Sequence, residues 1–395
     1  MIVDGTPTIS NRHRRNTDEK LMIRYLNFII KSVLRRNGGV TMKRYHVNNL
    51  ILLILAVAIS FILQALHMIL PFMFGPIIAG IIVVRLLKLE VQWPTWLSQL
   101  GLMMLGAQIG VTFTRKVISD IKDDALIIVF ITVMLLVLAL IIAYFFKKIA
   151  QVNTETAVLS VIPGALSQML IMAEENKRAD VLIVSLTQTS RIIFVVLLVP
   201  LIAVLFKDTD SEMNVMMQAP QLLDVLSWPV IFGLILAIAA TYVVMGWLRV
   251  PTRQLLAPVA VLIVWNLTTG MNFRLDFSFI AVAQVIYMVR VGIQIANLLP
   301  ELKGRTAVAI IFQNVMLIMA TFVMVYIIHI FTAYPVNQLF LGAAPGGMSQ
   351  IVLVALETHA DVAKISSYHI FRIFFILFLI APLLNVFLKY RAKKQ

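Results

Sequence analysis

The chain has 395 residues, of which 61% are hydrophobic and 13% charged, with a formal net charge of +14 and no cysteine. Soluble domains carry about 45–50% apolar and about 25% charged residues, so this composition cannot supply an ordinary water-facing surface and excludes a soluble enzyme or DNA-binding domain. Lipid accepts the 20 Met and 23 Phe that water would reject; the absence of cysteine rules out disulfides and assigns no compartment.

Residues 1–46 hold ten Lys or Arg against three Asp or Glu and supply +7 of the net charge. Within this basic arm Met22, Leu26, Ile29, Ile30 and Val33 recur at helical spacing around Arg24 and Lys31, the pattern of a surface helix on anionic lipid. Plainer readings are a poorly ordered extension, or translation from Met42, directly before Lys43 and Arg44. With no zinc-ligand spacing and no recognisable reading helix, no nucleic-acid partner is expected.

A helix that satisfies its own backbone needs about 20 apolar residues to cross about 30 Å of hydrocarbon. Residues 49–84 contain no Asp, Glu, Lys or Arg and fit two segments around a turn at 67–71. Further apolar stretches cover 95–114, 125–146, 156–173, 181–206, 225–248, 254–273, 277–300, 306–334, 335–356 and 365–388. The expectation is an all-α polytopic membrane protein with about twelve membrane segments. Stretches 70–84 and 156–173 are short and contain Gly and Pro, which also suits a re-entrant or discontinuous helix. The 391–395 tail is basic like the 1–46 arm. By the positive-inside tendency both termini of this cell-membrane protein face the cytoplasm, which requires an even number of crossings.

An internal repeat organises the rest. PGALSQ at 163–168 returns as PGGMSQ at 345–350, and the displacement of 182 residues also carries Pro76 onto Pro258. With small insertions, GAQIG at 106–110 matches GIQIA at 292–296, and Asp180 with Arg191 matches Asp361 with Arg372, 11 residues apart in each case. The chain reads as two homologous halves, 47–207 and 222–390, joined by a polar linker at 208–221. Six segments per half make the repeats parallel; the short segments leave an inverted arrangement open.

Pro163 and Gly164, and Pro345, Gly346 and Gly347, interrupt apolar stretches, so discontinuous or kinked helices are expected there. A break frees amides and carbonyls that are costly in lipid and useful in a polar cavity. Ser167, Gln168, Ser349 and Gln350 stand beside the breaks with hydroxyl and amide groups; the other reading is a kink that only lets helices approach closely. Arg191 and Arg372 lie well inside spans, where arginine costs at least about 2.5–3.5 kcal/mol. Each should face a cavity, a polar group or a bound anion, and no Asp or Glu lies comparably deep.

Gln188 and His369 precede these arginines by three residues and share their helix face. A proton relay is one role for His369; because its counterpart is Gln188, a neutral hydrogen-bonding histidine suits the symmetry better. Asp180 and Asp361 suit span entrances, capping helix amides. Gln108 and Gln294 either line a pathway or bind two helices together. Arg290 has no arginine counterpart in the first half and ranks lower, as a snorkelling or bundle-supporting residue. The expected ligand contacts are Arg191, Arg372, Ser167, Gln168, Ser349, Gln350, Gln188 and His369.

The two PG segments, followed by Ala179-Asp180 and Arg191 or by Ala360-Asp361 and Arg372, resemble the duplicated AbrB-type integral membrane family, often labelled an ammonia monooxygenase or its regulator. The resemblance covers about residues 47–390 and implies a multi-pass membrane protein unrelated to the small soluble AbrB-type DNA-binding regulators. His67, His329, His359 and His369 are dispersed, so no metal, cofactor or enzymatic activity is expected. The broken segments are also similar to those of antiporter-related and bile-acid-transporter-like folds, an analogy that transfers no substrate. The lack of deep carboxylates departs from acidic-dyad antiporters.

The expected function is a secondary transporter or permease for an anionic small molecule. It is gradient-driven, since no G-x-x-x-x-G-K-[ST] motif is present, and has membrane lipid, the anionic ligand and a coupling ion as partners. The alternative is a membrane sensor or regulatory scaffold that binds a metabolite or a membrane partner. Nothing in the sequence marks an oligomeric state.

Overall fold

A computed structural model of the chain describes residues 39–164, 166–176, 178–206, 220–248, 250–271, 273–332, 334–358 and 360–393. The surface helix expected within 21–34, nearly all of the 208–221 linker, His359 and the last two residues of the tail lie outside the described residues. Regular structure among the described residues is helical, apart from one isolated bridge between Gln221 and Arg274.

The first half contains α1 (Gly39–Ala65), α2 (Pro71–Ile81, continued by a π turn at Ile82–Leu86), α3 (Thr95–Thr112), α4 (Arg115–Asp123), α5 (Ala125–Ala150), α6 (Thr154–Val161), α7 (Leu166–Glu175) and α8 (Val181–Leu205). The second contains α9 (Leu222–Val225), α10 (Trp228–Trp247), α11 (Arg253–Thr269), α12 (Phe277–Leu298), α13 (Gly304–Thr332), α14 (Val336–Ala343), α15 (Met348–Glu357), α16 (Val362–Phe375, continued by a π turn at Ile376–Ile380) and α17 (Ala381–Lys393). Apart from the nine-residue α4, the order α2, α3, α5, the α6 and α7 pair and α8 recurs in the second half as α11, α12, α13, the α14 and α15 pair and α16.

The described chain falls into two compact units. One holds the residues up to Ile51 with Glu90–Gln92; in it Asn48 Nδ2 donates to Glu90 O at 2.8 Å, and Asn49 exchanges two hydrogen bonds with Gln92. The other holds Leu52–Leu89 and Trp93–Gln395 and contains every feature described below.

The expected count of about twelve segments is not met. Seven described helices are long and apolar enough to cross a membrane, or eight when α3 and α4, bent by 83° at their junction, count as one span. The loss has a physical cause. An apolar window registers composition and is blind to a reversal of direction, and at both PG motifs the helix stops after 8 residues and resumes for 10. Such arms reach about 12 and about 15 Å, roughly half of the hydrocarbon thickness. α2 and α11, with 11 and 17 helical residues, also fall short of the usual length.

Glycines set how the halves engage. A Cβ on Gly80 would lie 2.8 Å from the carbonyl carbon of Gly292, and one on Gly292 would lie 2.8 Å from Ile77 Cα. α2 of the first half therefore packs backbone to backbone on α12 of the second. Reciprocally, a Cβ on Gly110 would lie 2.8 Å from Leu262 Cβ and 3.1 Å from Pro258 O, so α11 of the second half packs on α3 of the first. Close helix approach of this kind replaces the hydrophobic driving force that lipid removes. The two halves are interlocked by exchange of equivalent helices.

Candidate functional site

The PG segments fold as two hairpins. Asn153 caps α6 by accepting from Thr156 N at 2.8 Å, while its side-chain amide donates to Arg178 O beyond the end of α7. Asp180 N donates to Thr156 Oγ1 at 2.9 Å. The start of α6 and the end of α7 are thus side by side, and the chain reverses at Pro163 and Gly164, with Gly164 at φ +106°. The second hairpin is closed in the same way: Asn337 Nδ2 at the start of α14 donates to Thr358 Oγ1 after α15, at 3.4 Å.

The hairpins enter from opposite ends of α5. The first begins at Asn153, directly after α5 stops at Ala150. The second is tied to the other end: Tyr334 Oη, two residues before α14, donates to Asp124 Oδ1 at 2.6 Å, and Lys364 Nζ in the first turn of α16 lies 3.7 Å from Asp124 Oδ2. Asp124 immediately precedes α5, whose 26 residues span about 39 Å. The repeated motifs therefore approach from opposite sides, in an inverted arrangement.

Each tip is held by the helix that follows it. Arg191 on α8 donates through Nη1 to Ile162 O (3.3 Å) and Gln188 Oε1 (3.0 Å), and through Nη2 to Ser160 O (3.1 Å) and Val161 O (2.8 Å). Arg372 on α16 donates to Ala343 O (3.3 Å), Ala344 O (2.9 Å) and Gly346 O (3.2 Å), and lies 2.6 Å from His369 Nδ1. Both guanidiniums sit at the carbonyl end of a short first arm, where an interrupted helix leaves acceptors free and presents its negative dipole end. These acceptors answer the cost of placing arginine so deep; among the described residues no carboxylate is a partner of either.

The pair Gln188 and His369 is functionally matched. Gln188 accepts from Arg191 and donates Nε2–H to Leu159 O at 2.8 Å; His369 Nε2 lies 2.9 Å from Leu341 O, and Leu341 is Leu159 displaced by 182. Because arginine can only donate, His369 Nδ1 must accept, which places the ring proton on Nε2 and makes the imidazole neutral. Asp180 and Asp361 are the N-caps of α8 and α16, accepting from Ile183 N and Lys364 N at 3.1 and 3.0 Å.

The tips also cross over between halves. A Cβ on Gly164 would lie 3.0 Å from Ile376 Cδ1 and 3.4 Å from Arg372 Nε, and one on Gly346 would lie 2.6 Å from Val195 Cγ1. Val195 and Ile376 each stand four residues after their arginine. Each tip is thus gripped by its own half and seated on the other half's helix one turn further on.

Other expected residues are placed differently. Ser349 and Gln350 bond to Tyr287 of α12: Tyr287 Oη lies 2.8 Å from Ser349 Oγ, Gln350 Nε2 donates to Tyr287 Oη at 3.1 Å, and Ser349 Oγ donates to Gln350 Oε1 at 3.2 Å. Gln168 is half-buried on α7, and the Ser167 side chain lies outside the described residues. Gln108 and Gln294 stand beside the glycine crossings of α3 and α12, and no hydrogen bond among the described residues joins them to either arginine. Tyr287 escaped sequence reasoning because the displacement relating GAQIG to GIQIA puts Gly101 opposite it, so the repeat gave no signal. The Asp124, Tyr334 and Lys364 cluster joins residues 210 and 240 apart in the chain and has no local signature either.

A family model described as "Transition state regulatory protein AbrB" matches residues 72–388. The chain belongs to the AbrB family. Its all-helical fold sets it apart from the soluble DNA-binding regulators sharing that name. This AbrB-family chain is 24% identical over 298 residues to "Uncharacterized protein YhjN" of Bacillus subtilis (strain 168), covering 73% of this chain and 77% of the relative. It is 23% identical over 350 residues to "Putative regulator AbrB" of Escherichia coli (strain K12), covering 87% and 97%. Several long apolar helices make this AbrB-family member consistent with a multi-pass membrane protein in contact with lipid.

Proposed function

We propose that the chain is a membrane sensor or regulatory scaffold that performs no covalent chemistry, and that its paired hairpins bind an anionic metabolite or a segment of a membrane partner. The observation that carries this reading is the Escherichia coli relative with the name "Putative regulator AbrB", matched over 97% of its length. In this reading both termini face the cytoplasm, and the basic 1–46 arm passes hairpin occupancy to a partner or to anionic lipid. Cross-linking in native membranes tests it: the full chain should capture a partner that a variant lacking residues 1–41 loses while still inserting and folding. Equal capture by both chains would sink the role of the arm.

A second reading, a secondary transporter for an anionic small molecule with a coupling ion, is supported by the opposed hairpins. A ligand held where two tips meet at half depth is reachable from either side when one hairpin moves. Gradient-driven uptake of a labelled organic anion into sealed proteoliposomes would favour this reading over the first.

A further inference from the structure

The Nη atoms of Arg191 and Arg372 make four contacts each within the protein, and only the buried Nε of each is without a partner among the described residues. Arg290 differs. It is half-buried at the fourteenth position of the 22-residue α12, about 20 Å from the helix start, and among the described residues it makes no hydrogen bond or ion pair. It stands three residues after Tyr287, on the same helix face. Gln284, one turn before Tyr287 and 2% exposed, has an Oε1 with no partner among the described residues. The amino end of α15, a ten-residue helix whose N-cap, Gly347, offers no side-chain acceptor to the first amides, meets this face at Tyr287 through Ser349 and Gln350.

Tyr287, Ser349 and Gln350 form a closed ring. Gln350 Nε2 donates to Tyr287 and Ser349 donates to Gln350, so the tyrosine hydroxyl must donate to Ser349. A closed ring satisfies itself without a ligand, and rotating the two hydroxyls frees two donors toward an incoming acceptor.

On the metabolite-binding reading above, we propose that the ligand's carboxylate or phosphate oxygens bind between α12 and the amino end of α15. Arg290 supplies the counter-charge, the Tyr287 and Ser349 hydroxyls turn to donate, and the first amides of α15 complete the cradle. The anion gains charge-assisted donors in place of water, and the guanidinium gains the partner that its depth demands. Arg191 and Arg372 shape the tips, and Arg290 meets the ligand.

Arginine labelling of the full chain in nanodiscs, with phenylglyoxal and peptide mapping, tests the assignment. Arg290 should react well ahead of Arg191 and Arg372, and sodium benzoate or inorganic phosphate should protect it at ionic strength matched with sodium chloride. Both anions should also raise the thermal midpoint of the wild-type chain. The concentration needed should increase about tenfold in Arg290→Gln and about threefold in Tyr287→Phe, which keeps the ring's bulk. Arg290 labelled no faster than the two tip arginines, or unprotected by both anions, overturns the proposal, and so does an unchanged anion response in Tyr287→Phe together with Arg290→Gln. Protection of Arg290 in a chain that neither captures a partner nor supports flux would leave this site standing and remove the functional reading instead.

Discussion

Replacing His369 with alanine removes the acceptor of an Arg372 N–H and the donor to Leu341 O at one stroke. The ring is fully buried, so no water takes its place. Hydrogen bonds between membrane helices contribute about 0.6 kcal/mol each and reach about 1.7, while leaving a buried charged donor unsatisfied adds about 1–3 kcal/mol. His369→Ala should therefore destabilise the chain by about 2–5 kcal/mol. His369→Gln should cost below about 1 kcal/mol, because Gln188 already fills the equivalent position with the same two roles, accepting from Arg191 and donating to Leu159 O. Reversible unfolding of the full chain in mixed micelles, followed by tryptophan fluorescence, gives both numbers. If glutamine proves as damaging as alanine, or alanine is harmless, the matched-latch account of the two tips is wrong.

Gly164→Ala should destabilise by about 1–3 kcal/mol, since φ +106° is strained for any other residue and the new Cβ meets Ile376 Cδ1 at 3.0 Å; Gly233→Ala, a helical position with nothing within 4 Å, should be neutral or stabilising by up to about 1 kcal/mol in the same unfolding assay. Gly292→Val should reduce folded yield more than Gly233→Val, because its side chain would run into the backbone of Ile77; equal yields on size-exclusion chromatography would count against backbone contact between α2 and α12. The Asp124 carboxylate, by accepting from Tyr334, raises that phenol to about 12. A folded value above the ordinary 10 means stability present below pH 10 and lost between pH 10 and 12, so Tyr334→Phe should flatten the fall in stability over that window, and an unchanged pH profile would refute the link.

Much of the site could be read from the chain because its chemistry is repeated. Arg191 with Gln188 and Arg372 with His369 are in the helical register that lets each pair act on one tip, and Asp180 and Asp361 cap the helices that carry them. The proline and glycine steps at 163–164 and 345–347 were visible as interruptions, yet their consequence was not: whether a broken helix continues or turns back is decided by Asn153, Thr156, Asn337 and Thr358 meeting across the arms, contacts between residues some 20 positions apart that leave no periodicity. Two of the expected segments were lost to that ambiguity, which also left the relative orientation of the halves open, and the short α2 and α11 account for further losses. Arg290 ranked low and Tyr287 left no signal for the opposite reason, since neither has a counterpart in the first half.

The exchange of α2 and α11 between halves fixes when the molecule can finish folding. During synthesis the first half emerges with its first hairpin latched to Arg191, but the glycine face of α3 has no neighbour until α11 is made, and α2 waits for α12. Gly164 has no seat until Ile376 has been inserted, some two hundred residues later. The first half must therefore wait in the membrane with its tip carbonyls satisfied by Arg191 but with α2, the glycine face of α3 and the Gly164 turn uncovered until the ribosome delivers the complement. A chain terminated in the linker would be left as an open-faced fragment, able to satisfy those surfaces only against the second half of another molecule.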